Sequence, residues 1–233
     1  MAQFFRRYFS NNKDLKILDV GCGTGINLSE LDSFGRVYGI DISEEAANYC
    51  RKRGHKIVKG SVMEMPFSDN SFDVVTSLGV FYHKKVGDDL QGMREICRVL
   101  KPQGRLFFFD SAMDCLYGNH DIVFHGIRRY MKLGLTSKLK DVGFQVDWVS
   151  YLNVLIFPIA YLKRRIERII RTKPRSEARM INKYFNYLLF LVSCVDVYYA
   201  SIIVYPFGLN IVAHAKKLGS TMDTQILDIR KQI

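Results

Sequence analysis

Short runs of branched apolar residues alternate along this chain with stretches whose apolar positions recur at helical spacing. Leu15–Val20 is the first such run and has the composition of a buried parallel strand. Behind it, Leu28 and Leu31 give residues 26–31 an apolar helix face, with Thr24 as the expected N-cap. Residues 37–43 read as a second strand, after which Ser43 caps a helix running to Tyr49. Residues 56–60 and 72–77 are the third and fourth strands, the latter preceded by the turn cluster Ser68-Asp69-Asn70-Ser71. A helix covering residues 94–100 stops at Pro102 and Gly104, and a fifth strand follows over 105–110. Residues 143–150 and 209–216 read as the sixth and last strands. Strands alternating with helices predict an α/β fold built on a mostly parallel sheet.

The pattern changes after Ser150. Residues 151–162 are almost uninterruptedly apolar, broken by Pro158, and merge into an amphipathic segment. There Ile159, Leu162, Ile166, Ile169 and Ile170 share one helical face while arginines crowd the other. Residues 184–204 are a second apolar stretch, interrupted by Asn186, Ser193, Asp196 and Ser201 and closed by Pro206-Phe207-Gly208. The first run is too short for the roughly 20 apolar residues a bilayer crossing requires. The second carries an acid, Asp196, near its centre. A single crossing would also put the sixth and last strands on opposite sides of a membrane. The expected arrangement is therefore a helical cap over 151–204, folded over the site mouth or lying in a membrane surface. Residues 1–150 and 205–217 would form the main domain, behind a short amphipathic start over 1–12. Residues 218–233 would be a loose tail.

Between the first strand and its helix stands Asp19-Val20-Gly21-Cys22-Gly23-Thr24-Gly25. Glycines at alternate positions before a helix N-terminus leave backbone N–H groups facing a ligand with no side chain in its way. A dinucleotide fingerprint spaces its glycines as Gly-x-Gly-x-x-Gly. Here the third glycine comes one residue early and Ile26 occupies that motif's last position. Asp41, at the end of the second strand, lies roughly 20 residues past the turn, where such βαβ units carry a ribose-binding carboxylate.

Leu18 to Gly25 and the ordered strands behind it resemble the class I S-adenosylmethionine-dependent methyltransferases, in the small-molecule branch called type 11 that includes quinone C-methyltransferases. The resemblance covers residues 13–150 and implies a Rossmann-like, doubly wound, seven-stranded sheet with an antiparallel last strand and a helical insertion before it. It implies S-adenosylmethionine as cofactor. Asp19, Gly21, Cys22, Gly23 and Gly25 would hold its methionine end with Ser77, Asp41 its ribose, and Ile42, Ser61, Val62 and Met63 its adenine. Members of the family commonly have aspartate where this chain has Ser61, so the adenine bond is expected to lack charge assistance.

Tyr82 and His83, beyond the fourth strand, and His120 and His125, beyond the fifth, are the candidate bases or orienting groups for the methyl acceptor. Arg128, Arg129 and Tyr130 would open the next helix and present a fork to a carboxylate or phosphate on it. His120 and His125 lack the four-residue helical step that joins two metal ligands, so no metal centre is expected.

Charge narrows the partners. The net charge is +11, but residues 151–233 hold 13 Lys/Arg against 5 Asp/Glu, a net +8. The basic residues sit beside apolar ones rather than among stacking aromatics, and no Asn/Asp-Pro-Pro-aromatic motif follows the fourth strand. A nucleic-acid substrate is therefore disfavoured, and a cofactor-binding scaffold without catalysis is the other alternative. The expected acceptor is a small or lipid-linked molecule, including an envelope or glycan precursor, and an anionic membrane is a candidate partner through 151–204. Five cysteines without paired spacing and the absence of a signal-like N-terminus point to the cytoplasm, with attachment to the inner membrane face as an option.

Overall fold

A computed structural model describes Phe9 and residues 14–170, 183–200 and 203–219 of the chain. The amphipathic start, apart from Phe9, the turn at 172–176 and the tail from 220 lie outside the described residues.

Seven strands form one sheet: β1 (Leu15–Val20), β2 (Gly35–Asp41), β3 (Lys56–Lys59), β4 (Phe72–Leu78), β5 (Leu100–Ser111), β6 (Phe144–Leu152) and β7 (Asn210–Lys217). Their spatial order is β3-β2-β1-β4-β5-β7-β6. The pairs β3–β2, β2–β1, β1–β4 and β4–β5 are parallel, and β7 is antiparallel to both of its neighbours, β5 and β6. The fold is the Rossmann-like one expected, with its antiparallel last strand.

Side chains alternate across each strand, and here both faces are buried. Leu18 and Val75 belong to one core cluster, whereas their neighbours Ile17 and Val74 belong to another. The first cluster is filled by Phe72, Phe81, Phe108, Met93 and Leu135, all shielded from solvent. Helices α1 (Ile26–Leu31), α2 (Glu44–Lys52), α3 (Asp89–Val99), α4 (Asn119–Val123) and α5 (Lys132–Asp141) cover the sheet.

Three local expectations change. Gly25, in left-handed conformation at φ 78°, caps α1, and Thr24 is exposed and makes no cap bond. Ser43 does cap α2, accepting from Ala46 N at 3.3 Å, and the helix runs to Lys52. Residues 101–104, expected as a stop between helix and strand, are looped out within β5. Leu100 pairs with Phe72 and Arg105 with Val74, and Gln103 sits at φ 66°.

The excursion after β6 consists of α6 (Phe157–Ile170) and α7 (Lys183–Ala200). Neither is long and apolar enough to cross a membrane, and this holds for every described helix. Asp196 is 1% exposed. Its two oxygens accept the backbone N–H groups of Asn153 at 2.5 Å and Val154 at 3.1 Å, which pins α7 to the end of β6. The acid that broke the apolar run is a structural anchor.

Candidate functional site

The sheet reverses its order between β1 and β4, and ligands of open α/β sheets bind at the carboxyl ends of strands at such a point. A cleft of about 240 Å³ opens there. Val20 and Gly21 form one side, residues 40–43 and 60–62 another, and Gly79, Val80, Tyr82, His83, Lys85 and Val86 the third.

The glycine turn is held by backbone bonds from Gly21 N and Cys22 N to Ile40 O, at 2.7 and 3.2 Å. Gly23, at φ 52°, has nothing within 4 Å of where a Cβ would stand. Its backbone thus borders open space. Gly25 differs, because a Cβ there would lie 2.8 Å from Cys50 Sγ, and this glycine serves packing of α1 on α2. Cys22 likewise belongs to the core beneath the turn and does not line the cleft.

Asp41 ties the turn to β2. One carboxylate oxygen accepts Gly23 N and the other Ser43 N, each at 2.8 Å. Each oxygen keeps a further lone pair. Asp19 is 1% exposed and accepts a 2.5 Å bond from Thr76 Oγ1 through Oδ1. Its Oδ2 is buried without a partner, as is Ser77 Oγ. Burial pushes the Asp19 carboxyl up to about 7, against the pull of the Thr76 hydroxyl. Two orphaned polar atoms beside a glycine turn are what a bound ammonium and its neighbours would satisfy. Ser61 Oγ accepts Met63 N at 3.1 Å, so the hydroxyl closes its own loop. Met63 stands half-buried behind the cleft, its sulfur meeting Asp88 N at 3.5 Å.

The candidate acceptor residues are dispersed. Tyr82 and His83 line the cleft. His83 Nδ1 accepts Lys85 N at 3.0 Å, so the neutral ring carries its proton on Nε2. Burial, and then the charge of Lys85, keep the ring's pKa below the ordinary value. His125 is exposed on the rim with its ring 5.8 Å from that of His83. His120 lies against Phe124 at 4.5 Å and does not line the cleft.

Arg128, Arg129 and Tyr130 do not open a helix, because α5 begins at Lys132. Their expected fork toward an anionic acceptor is turned inward. Arg129 bonds both oxygens of the buried Asp121, at 2.9 and 3.2 Å, and Ala112 O at 2.7 Å. Arg128 holds Phe81 O at 3.4 Å and Gly87 O at 2.9 Å, and the buried Tyr130 donates to Asp89 at 2.9 Å. Arg128 and Tyr130 thus hold the 81–89 strap that carries Tyr82 and His83, while Arg129 clamps Asp121 to the end of β5. Sequence reasoning missed Val20, Ile40, Ser43, Gly60, Gly79, Val80, Lys85 and Val86 as lining residues; the first six sit at or just past strand ends, which was the available signal, whereas Lys85 and Val86 come from the strap beyond β4.

Residues 18–108 match the family model described as a methyltransferase domain. A sterol 24-C-methyltransferase of Gibberella zeae is 38% identical over 131 residues, which are 52% of this chain and 34% of that protein. A demethylmenaquinone methyltransferase of Staphylococcus aureus is 42% identical over 113 residues, 45% of this chain and 46% of that protein. The chain thus spans half or less of the length of these two relatives. An S-adenosylmethionine-dependent methyltransferase from Methanosarcina mazei superposes with a TM-score of 0.61 at 18% identity, over 92% of this chain and 97% of that one, a likeness of fold alone.

Proposed function

From a chain that carries a class I S-adenosylmethionine-dependent methyltransferase domain of the type 11 branch, we infer an enzyme that methylates a small lipophilic acceptor. The observation that carries this reading is Asp41, bound to Gly23 N and Ser43 N at the mouth of a cleft that Tyr82 and His83 close from the opposite side. The names of the two relatives, one for a sterol and one for demethylmenaquinone, support an acceptor of lipid character.

The residues present suit the cofactor. Asp41 would hold its ribose hydroxyls, Asp19 Oδ2 and Ser77 its charged amino group, and Ile42, Ser61 and Val62 its adenine. Bound there, the sulfonium supplies an electrophilic methyl carbon. The protein's own part is to align the acceptor and exclude water from the line of displacement. His83, with Nδ1 engaged by Lys85 N–H, meets an acceptor oxygen as a donor through Nε2. It therefore orients the acceptor rather than taking its proton, and Tyr82 completes that wall.

A mass-shift screen tests the proposal. Protein and isotopically labelled cofactor are incubated with a cell extract divided into lipid and aqueous fractions. Label entering a lipid is the expected result. Label entering a water-soluble glycan precursor would correct the acceptor class, and no labelled product would leave a cofactor-binding scaffold.

A further inference from the structure

Helix α6 is amphipathic in the reverse sense. Ile159, Leu162, Ile166, Ile169 and Ile170 form its apolar ridge, and each is between 45% and 77% exposed. The opposite face docks on the domain through cations. Arg164 is buried, pairs with Glu167 at 2.7 Å and packs where a Cβ on Gly118 would stand. Arg168 donates to Cys115 O and Tyr117 O at 2.9 and 3.0 Å. A helix of a water-facing surface buries its apolar stripe and exposes its charges. Here the arrangement is inverted, and two further cations of this stretch are exposed: Lys163, half-exposed and 4.0 Å from Glu167, and Arg165. At 3.6 residues per turn they fall about 80° to either side of the ridge.

We propose that this ridge, flanked by Lys163 and Arg165, is the surface by which the protein docks on an anionic lipid bilayer, lying in the headgroup plane. The flanking cations decide the occupant. Beside an apolar stripe they complement anionic headgroups, whereas a second copy packed on the same face would bring like charges together. The docked face of α6, on the other side of the helix from the ridge, is tied by hydrogen bonds to the cleft wall. Arg168 and Arg164 seat α6 on residues 115–118, and Tyr117 donates to Gly126 O. Ile127 N donates in turn to Tyr82 O at the cleft wall, with Phe124 and Ile127 exposed beside it. Fixed to that wall through 115–118, α6 would hold the cleft at a set orientation to the bilayer, a consequence that rests on the methyl-transfer reading.

The test uses the full chain with vesicles of phosphatidylcholine, with and without phosphatidylglycerol. Wild-type protein should co-sediment with the anionic vesicles and release at high salt. Leu162→Gln/Ile166→Gln/Ile169→Gln should lose the association. Lys163→Gln/Arg165→Gln should weaken it about thirtyfold, since each cation at an anionic surface contributes about fivefold. Both variants should bind S-adenosylhomocysteine like wild type by calorimetry, which separates this result from any failure of the cofactor site. Wild-type protein that ignores anionic vesicles at low salt would overturn the proposal. So would variants that retain wild-type association, or a lipid-free dimer in sedimentation velocity that the triple variant dissociates.

Discussion

Thr76 donates a 2.5 Å hydrogen bond to one oxygen of Asp19 and leaves the other oxygen bare. In the proposed reading that bare oxygen holds the cofactor's ammonium, and burial raises the carboxyl to about 7. An ammonium group binds the ionised form. Affinity for S-adenosylhomocysteine should therefore fall about tenfold between pH 8 and pH 6. Titration calorimetry at the two values checks this, and Asp19→Asn should flatten the dependence. An affinity that rises on acidification would remove Asp19 from the cofactor.

The same group leaves a mark on ligand-free stability. Its pKa is raised in the folded state from 3.8, so between about pH 4 and pH 7 the folded protein keeps a proton the unfolded chain has released. Stability associated with Asp19 therefore decreases as pH rises through that window. His214 acts with the opposite sign, because burial holds its ring at about 4 instead of 6.5 and its contribution increases with pH up to about 6.5. Urea denaturation of wild type and Asp19→Asn across pH 4 to 8 isolates the acid. The difference between the two proteins should grow toward neutral pH, with the Asn variant gaining.

Asp41→Ala removes the acceptor of Gly23 N and Ser43 N and the group proposed for the ribose. Cofactor affinity should weaken by about 1.5–3 kcal/mol, the usual cost of losing a charged hydrogen-bond partner. Ser61→Asp keeps an oxygen for Met63 N and adds charge, so binding should be equal or tighter. A marked loss in Ser61→Asp would place the adenine elsewhere.

Gly23→Val puts a branched side chain into open space at φ 52°. The left-handed backbone should cost about 1–2 kcal/mol of stability, a loss a folded protein survives, while cofactor binding should disappear. Calorimetry and thermal melting on one sample separate the two effects. Unchanged affinity would show that the ligand does not pass over this turn.

Arg129→Ala leaves the Asp121 carboxylate buried without its guanidinium partner. Breaking a buried pair in this way typically costs about 3–5 kcal/mol. Denaturant unfolding should show that loss, and Arg129→Lys should recover only part of it because a lysine cannot span both oxygens. A variant of wild-type stability with impaired acceptor binding would return Arg129 to the substrate.

What the sequence disclosed depended on how far each residue sits from its partner. Gly21 to Gly25 and Asp41 were legible because a strand, a turn and a helix start are consecutive, and the constraint is local. Arg129 was not legible as an internal clamp, because Asp121 is buried through its bonds to Gly118, Gly126 and Arg129, which only the folded 118–130 segment brings together. Tyr130 answers to Asp89, 41 residues away, and Arg168 to carbonyls more than 50 residues upstream. A periodicity argument finds which face of α6 is apolar, but not which face the domain will claim. The usual rule points the ridge inward, and the carbonyls at 115 and 117 reverse it.

The hairpin of β6 and β7 is paired to its very tip, with Leu152 opposite Asn210, Leu209 N bonded to Leu152 O at 2.9 Å, and the side chains of Asn153 and Asn210 joined at 2.8 Å. The whole excursion through α6 and α7 accordingly leaves and re-enters the sheet at one doorway. Two strands that meet so closely could be closed by a turn of about two residues. The excursion is tied down at that same end: Asp196 of α7 holds the backbone at 153–154, and Ala200 packs between Leu152 and Val212. A change of the excursion would thus be absorbed at the doorway and in the small cluster that Ala200 completes, while the parallel strands β1 to β4 lie away from it.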